Sequence, residues 1–371
     1  MRVLYDNQIF DSQIYGGISK YFCETIRKLL DLHNLYHFEI GILNSKNAYL
    51  IDMGLFKPNL LSRLLNNHYV KRVLDKLGMT AKWLNQKYTL YLVKYGGFDL
   101  VHPTYYHFDP LLYKQTPYIL TVHDMIHELY PEYFEEDTVI LENKKKSIEG
   151  ASHIISVSHA TKNDLVKVLG IDESKISVIH HSFDFPEYRS QKKWLNLPED
   201  FFLFVGKRRN YKNFNFFLES SADLFKKTPL VVVGSPFTGE EDEIIQKNGI
   251  GDYVFQVSAD DAELASLYSK AYYFVFPSLA EGFGIPILEA YHSNCPVIVS
   301  DISVFREVAD EAALYFDPKS KESIFSVMNE AITNPSLRKN LVVKGMERLE
   351  FFKNQDYIGM MQKAYKKTVD N

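Results

Sequence analysis

Residues 272–290 read YYFVFPSLAEGFGIPILEA. An apolar run from Tyr272 to Phe276 is stopped by Pro277, bends through Gly282 and Gly284, and restarts as the helix-like ILEAYHSN. A continuous Val/Phe/Tyr run of this kind marks a strand covered on both faces, and such strands belong to parallel sheets under helices. The same strand–turn–helix phrase recurs along the chain. In the first half, strands are expected at 2–7, 38–43, 98–104, 117–124, 153–158 and 176–181. In the second half they are expected at 201–207, 229–235, 253–258, 272–278, 296–301 and 312–317. Helical patterns lie between them, such as DDAELASLYSKA (260–271) and KESIFSVMNEAI (321–332). The rhythm predicts an α/β chain of two doubly wound parallel-sheet domains. The break is expected in the polar, proline-containing DFPEYRSQKKWLNLPED (184–200), which divides 1–185 from 186–350. Residues 351–371 are expected to form a C-terminal helix that packs back toward the first domain.

Composition narrows the class. The 371 residues carry a formal charge of −5, which disfavours a nucleic-acid partner. Two cysteines, Cys23 and Cys295, build no disulfide framework and fit a reducing compartment. The opening MRVLYDNQIF places Asp6 where a signal peptide needs an apolar core, and no run approaches the ~18 apolar residues of a membrane span. A cytoplasmic location is therefore expected. One stretch stands apart. Residues 57–94 hold eight basic residues and one acid, a charge of +7 that leaves −12 on the rest of the chain. Leu60, Leu61, Leu64, Leu65, Val73, Leu74 and Leu77 recur there at helical spacing, interleaved with Arg63, Lys71, Arg72 and Lys76. That pattern suits an amphipathic helix, either packed on the first domain or resting on an anionic membrane face.

The glycine bend also has chemical meaning. Open α/β sheets bind ligands at the carboxyl ends of their strands, and unpaired N–H groups at a helix start suit polar or anionic oxygens. Gly282 and Gly284 allow close backbone approach. Glu281 and Glu289 flank the bend as hydrogen-bond acceptors for a hydroxyl-rich partner; taken alone, they also read as an ordinary turn with a solvated helix glutamate. In FVGKRRNYKNF (204–214), Lys207, Arg208, Arg209 and Lys212 crowd a strand end. Such cations repel one another unless an anion is expected, and a diphosphate is the natural candidate; a solvated basic loop is the alternative. In TVHDMIHELYP (121–131), His123 follows a strand. His127 and Glu128 beside it only loosely imitate a zinc helix, because Asp124 stands where the glutamate belongs, and no metal site is expected. YGGISKYF (15–22) places Gly16 and Gly17 before a helix without forming a dinucleotide fingerprint. The acidic EEDE (240–243) and ADD (259–261) read as helix starts rather than metal sites.

With the E-x7-E spacing of Glu281 and Glu289 around GFGIP, GKRRNYKN, His123-Asp124, SVSHATKNDL (156–165) and PVIVSDISVFREVADEAALYFDP (296–318), nearly the whole chain resembles the retaining GT-B glycosyltransferases of family 4. The resemblance implies two Rossmann-like domains facing a central cleft. It implies that Glu289 holds the ribose of a nucleotide sugar and that Glu281 contacts the transferred sugar. Backbone from Gly282 and Phe283 through Gly284 and Ile285 would face the sugar and diphosphate, while Arg208 and Lys212 neutralise the leaving diphosphate. His123 would sit near the reacting carbon, Gly16 and Gly17 would line the cleft, and backbone from Phe255 to Val257 would read the base. The implied reaction moves a hexose to a saccharide or lipid-linked saccharide acceptor in bacterial surface polysaccharide assembly. GDP-mannose is slightly preferred as donor over dTDP-rhamnose or UDP-hexoses, with no metal and no cofactor. His180-His181-Ser182 departs from the Asn-Gly of many relatives. The competing readings are a sugar-nucleotide epimerase or phosphorylase of the same fold, or a non-catalytic glycan- or partner-binding protein.

Overall fold

The computed structural model describes residues 1–32, 35–58, 60–76, 78–107, 109, 116–134, 138–182, 194, 196–208 and 210–370. Within helices it does not define the side chains of Leu61, Asn66, Lys71 and Asp75. The chain forms two compact units. Unit 1 comprises residues 1–128, 134–182 and 356–371; unit 2 comprises 129–133 and 183–355. Most of the expected connecting segment, 183–193 and 195, lies outside the described residues.

Each of the twelve expected strands forms, shortened within its expected range except β2, which begins one residue earlier at His37 and reads HFEI. In unit 1 these are β1 (Arg2–Tyr5), β2 (His37–Ile40), β3 (Leu100–His102), β4 (Ile119–Val122), β5 (His153–Ser156) and β6 (Ile176–Val178). They pair in parallel as β2-β1-β3 and β4-β5-β6, and a single parallel bridge, Val101 to Tyr118, joins the two groups. In unit 2 they are β7 (Phe202–Val205), β8 (Leu230–Val233), β9 (Val254–Val257), β10 (Tyr273–Phe276), β11 (Val297–Ser300) and β12 (Ala313–Phe316). One parallel sheet orders them β12-β11-β10-β7-β8-β9.

The apolar runs are continuous because successive side chains enter different cores. Val3 and Tyr5 of β1 pack with Phe22, Leu100 and Ile119 on one face. Leu4 packs with Val101, Leu120 and Ile154 on the other. Period-2 alternation between two buried faces leaves no polar position in the strand. In unit 2 the densest side holds Phe202, Phe204, Phe214, Phe217 and Tyr273, all at most 1% exposed.

The helices begin where their capping residues place them. Asp260 accepts from the Glu263 amide at 2.8 Å while Glu263 accepts from the Asp260 amide at 3.1 Å, a reciprocal cap on Asp261–Lys270. The C-terminal segment is two helices, Pro335–Lys353 in unit 2 and Tyr357–Asp370 in unit 1, so the return to unit 1 begins at Asp356 rather than at residue 351. Tyr365 seals the second helix against β1: its hydroxyl shares a 2.5 Å hydrogen bond with Tyr5 and lies 3.1 Å from His102 Nδ1. The basic stretch 57–94 is not one helix but three, Leu60–Asn66, His68–Lys76 and Ala81–Tyr95. Leu77, expected on its apolar face, is outside the described residues.

Candidate functional site

In unit 2 the chain winds from β7 outward to β8 and β9, then returns to β10 beside β7 and winds the other way. The loops after β7 and β10 therefore leave the sheet in opposite directions and open a crevice at its carboxyl edge, the usual ligand position in such sheets. The two motifs singled out in the sequence occupy these two loops and meet. Lys212 Nζ donates to Glu281 Oε1 at 2.5 Å, and Ser278 Oγ donates to the same oxygen at 2.7 Å. Both charged side chains keep some access to solvent, at 18% and 12% exposure. The Leu279 amide donates to the Tyr211 carbonyl at 2.8 Å, which ties the loops together through the backbone.

Gly284 starts the helix Ile285–His292 with φ at +114°, and a β-carbon there would press to 3.2 Å from the Phe305 ring. Only glycine fits both demands. Pro286 follows in the first turn, where its missing N–H costs nothing. Glu289, one turn further, accepts from the Tyr268 hydroxyl at 3.3 Å. Burial first, and then the Glu289 charge, hold the Tyr268 hydroxyl firmly protonated. On the edge strand β9, the Val257 carbonyl accepts from the Gly234 amide at 3.1 Å, and Phe255 is half-buried.

Arg208 has a different setting from the one its sequence context suggests. Its side chain is only 5% exposed. Nε donates to Glu241 at 2.6 Å, Nη2 donates to the Pro236 carbonyl at 2.7 Å, and the guanidinium lies 5.4 and 5.2 Å from the Phe214 and Phe237 ring centres. Glu241 also caps the helix Gly239–Lys247 by accepting from the Thr238 amide at 2.7 Å. The premise that the crowded cations of this loop imply a bound anion is thus corrected: two of them, Arg208 and Lys212, are balanced by carboxylates of the same unit. Lys207 is exposed, and Arg209 lies outside the described residues.

Unit 1 presents uncharged groups at its strand ends. His123, just past β4, is 9% exposed, packs edge-on against Tyr21 and Phe22 at 5.1 and 5.9 Å, and stacks on His181 at 6.1 Å. Its amide donates to the Tyr106 hydroxyl at 2.9 Å, while its Nε2 is buried without a hydrogen-bond partner among the described residues. Burial lowers its pKa to about 4, Asp124 opposing and Lys144 assisting. His102 is lowered to about 3, by burial and then by His123.

Lys144 escaped the sequence reading. It is 1% exposed and donates to the Asp124 carbonyl and to Glu128, each at 2.8 Å. Burial raises the Asp124 carboxyl, but the Lys144 charge and the Ile126 amide outweigh it and the pKa falls. Gly16 caps the helix Gly17–Leu30, and its extended backbone, φ 175°, sets no demand for glycine. A β-carbon on Gly17 would meet open space. His181 beside His123 was visible only as the unusual His180-His181 after β6.

Comparison with known proteins follows this division. The Glycosyltransferase Family 4 model matches residues 15–185 and the Glycosyl transferases group 1 model matches 186–348. The O-antigen chain mannosyltransferase RfbU of Salmonella typhimurium is 36% identical over 235 residues, 62% of this chain and 64% of that protein. The O-antigen chain mannosyltransferase B of Escherichia coli is 26% identical over 269 residues, 67% of this chain and 70% of that one. The match therefore spans slightly under two thirds of the Salmonella relative's length. Among solved structures, sucrose-phosphate synthase from Thermosynechococcus elongatus superposes with a TM-score of 0.70 at 20% identity, covering 99% of this chain and 98% of that one. Anabaena HepE, solved with UDP-glucose, superposes with a TM-score of 0.69 at 15% identity over the whole of both chains. With both domain models in sequence and the parallel sheets they require, this chain belongs to the family 4 glycosyltransferases of GT-B fold.

Proposed function

We propose that the protein transfers a hexosyl group, mannose first among candidates, from a nucleotide-sugar donor to a saccharide or lipid-linked saccharide, with retention of configuration. The observation that carries this reading is the Lys212–Glu281 contact, 2.5 Å, in the crevice of unit 2's sheet. It joins a cation suited to a diphosphate and an acceptor suited to sugar hydroxyls at the carboxyl edge of the sheet, where such sheets bind ligands. The mannosyltransferase names of the relatives and the UDP-glucose held by Anabaena HepE support the same class.

Each residue then has a task. Glu289 accepts from the ribose hydroxyls, and backbone from Phe255 to Val257 reads the base. Amides from Gly282 to Ile285 approach the sugar and diphosphate, and Glu281 holds hydroxyls of the transferred sugar. Lys212 stabilises the charge that develops as the diphosphate leaves. Arg208, matched by Glu241, acts mainly by stiffening the loop beneath it. In unit 1, His123 is a neutral imidazole suited to an uncharged sugar, and Gly16 and Gly17 offer backbone at a helix start. Glu281 is engaged by Lys212 and Ser278 and is not assigned as a nucleophile; the departing diphosphate accepts the acceptor's proton on the face it leaves. Because Lys212 supplies the counter-charge, turnover is expected to persist in EDTA.

The reaction is placed at the cytoplasmic face of a membrane. No described helix is long and apolar enough to cross one. Leu60, Leu64, Tyr69 and Val73 are 74, 50, 79 and 58% exposed, on the helices that carry Arg63, Arg72 and Lys76. Three cations near an anionic leaflet contribute ~3 kcal/mol. Vesicle co-sedimentation that requires anionic lipid and weakens with salt is the expected behaviour.

The test of the main reading is a thermal-shift titration with GDP, UDP and dTDP, followed by transfer from the matching donor and proton NMR of the new linkage. A nucleotide at a hundred times its Kd stabilises by ~2.7 kcal/mol. If no nucleotide shifts the melting curve, or if the anomeric configuration inverts, the reading fails.

A further inference from the structure

The helix Tyr357–Asp370 brings two tyrosine hydroxyls into the interior of unit 1. Tyr357, Met361 and Tyr365 are spaced four apart and lie on its buried face. Tyr365 begins a chain of polar groups. Its hydroxyl meets the Tyr5 hydroxyl on one side and His102 Nδ1 on the other. His102 Nε2 lies 2.9 Å from Thr121 Oγ1, and Thr121 Oγ1 lies 3.5 Å from the Tyr21 hydroxyl, the longest step. Tyr357 reaches the same place by a shorter route: its hydroxyl bonds Thr25 Oγ1 at 2.6 Å and also bonds Tyr21. All seven residues are at most 6% exposed. Proton counting gives the chain one direction. Tyr5 has no other hydrogen-bond partner among the described residues, so its hydrogen is paired only if it donates to Tyr365. Tyr365 then donates to Nδ1. His102 is neutral, its pKa lowered to about 3 by burial and then by His123, so its one hydrogen sits on Nε2 and points to Thr121, which donates on to Tyr21.

Burial does not account for this chain. Phenylalanine in place of each tyrosine would fill nearly the same space with no hydroxyl to desolvate. The hydroxyls add orientation, and what they orient is the ring of Tyr21. That ring stands at 87° to His123 with centres 5.1 Å apart, and at 79° to His181 with centres 4.8 Å apart. The two imidazoles lie at 27° to each other. A tilt of Tyr21 therefore displaces both. We propose that the helix Tyr357–Asp370 sets the place of the His123 ring, with Tyr365, His102, Thr121, Tyr357 and Tyr21 as the positioning residues. The effect on rate rests on the transferase reading, in which His123 faces the reacting carbon; the effect on His123 itself does not.

Heteronuclear NMR of the imidazoles tests it, in the full chain and in Tyr365→Phe, Thr121→Val and Thr121→Ser. Turnover of the donor whose nucleotide binds, GDP-mannose first, is measured in parallel. In wild type, His102 is expected as the Nε2–H tautomer. Tyr365→Phe and Thr121→Val should each shift the His123 ring signals, although Tyr365 stands three groups away along the chain. Each should lower kcat ~10-fold, the scale of one lost hydrogen bond, with the donor's KM and nucleotide affinity unchanged. The double variant should fall no further than the worse single one, because both cut one chain. Thr121→Ser keeps the hydroxyl and should restore both the signals and the rate. A His102 that carries its hydrogen on Nδ1 would overturn the proton order and the proposal with it. Unmoved His123 signals in both variants, or a lowered melting temperature with kcat intact, would reduce the chain to packing and overturn the proposal. If Tyr365→Phe does not fold, Thr121→Val, a near match in volume, decides alone. Shifted His123 signals in a protein that binds none of GDP, UDP and dTDP would uphold the positioning and sink the transferase reading.

Discussion

Both units are built on parallel strands, in different strand orders, and they differ in what they set at the carboxyl edge. Unit 2 places charges in matched pairs there, Lys212 with Glu281 and Arg208 with Glu241. Unit 1 places His123, His102 and His181 there, all driven toward the neutral form by burial. Among its described residues, Lys144 is a buried cation, paired with Asp124 and Glu128. The Lys212–Glu281 pair keeps some access to solvent and can exchange partners with an anionic ligand at small cost, whereas pairs built on the buried Arg208 and Lys144 are fixed structural elements. The comparison assigns ligand charge to unit 2 and shape to unit 1.

The largest effect expected is on catalysis in unit 2. Lys212→Ala should lower kcat/KM by ~10³-fold, the scale of losing a preorganised charge, with little change in melting temperature. A loss of stability comparable to the loss of rate would make this pair as structural as the one in unit 1 and dissolve the contrast. Lys144→Met is the mirror experiment. It strands two acids on a buried partner's side and should cost ~3 kcal/mol of stability, while calorimetric affinity for the nucleoside diphosphate stays constant. If nucleotide affinity drops instead, unit 1 is not merely shape.

A third substitution sharpens the inside of unit 2. Glu289→Ala should weaken nucleoside diphosphate binding by ~10- to 100-fold, as a hydrogen bond to a charged group is lost, whereas Glu281→Ala should spare the free nucleotide and slow transfer. Equal nucleotide affinity in wild type and Glu289→Ala would remove the ribose assignment.

The smallest effect concerns protons. His123 titrates at about 4 in the folded chain and near 6.5 when unfolded. Between those values the unfolded state takes up the proton first, so stability present above 6.5 is lost as pH falls toward 4. Replacing the group with His123→Asn should make the decline of stability over that window shallower by up to ~1.4 kcal/mol per pH unit. Comparing the two proteins cancels the opposing contribution of Asp11, which burial raises to about 6. Parallel stability–pH curves would show that His123 is not held neutral.

Much of this architecture could be read from residues alone. Strands such as YFVF and LVVV are apolar without interruption, and only a sheet covered on both faces explains that. Lys212 and Glu281, 69 positions apart, were both visible because each stands beside a bend that only glycine or a helix start explains. Glu241 was not, because EEDE has a sufficient local explanation as a helix start, and its pairing with Arg208 is tertiary. Lys144 was hidden in KKKS: three successive lysines look alike, and helix phase buries only the first. The basic stretch 57–94 was read correctly as helical, but its division into three helices among the described residues depends on short breaks around 67 and 78–80 that carry no proline.

The hydrogen bond between Tyr5 and Tyr365 joins residues 360 positions apart in sequence. Met361, Ala364 and Tyr365 belong to the same core as Val3 and Tyr5. Unit 1 therefore lacks part of its interior until residue 365 has left the ribosome, whereas every element of unit 2's sheet is available by residue 316. Synthesis from the amino terminus would ordinarily let the first domain fold first. Here that order is expected to invert: the first unit, its six strands made by Val178, waits with one face of its sheet partly bare while the second half, made later, completes itself, and the helix Tyr357–Asp370 acts as the clasp that ends the wait.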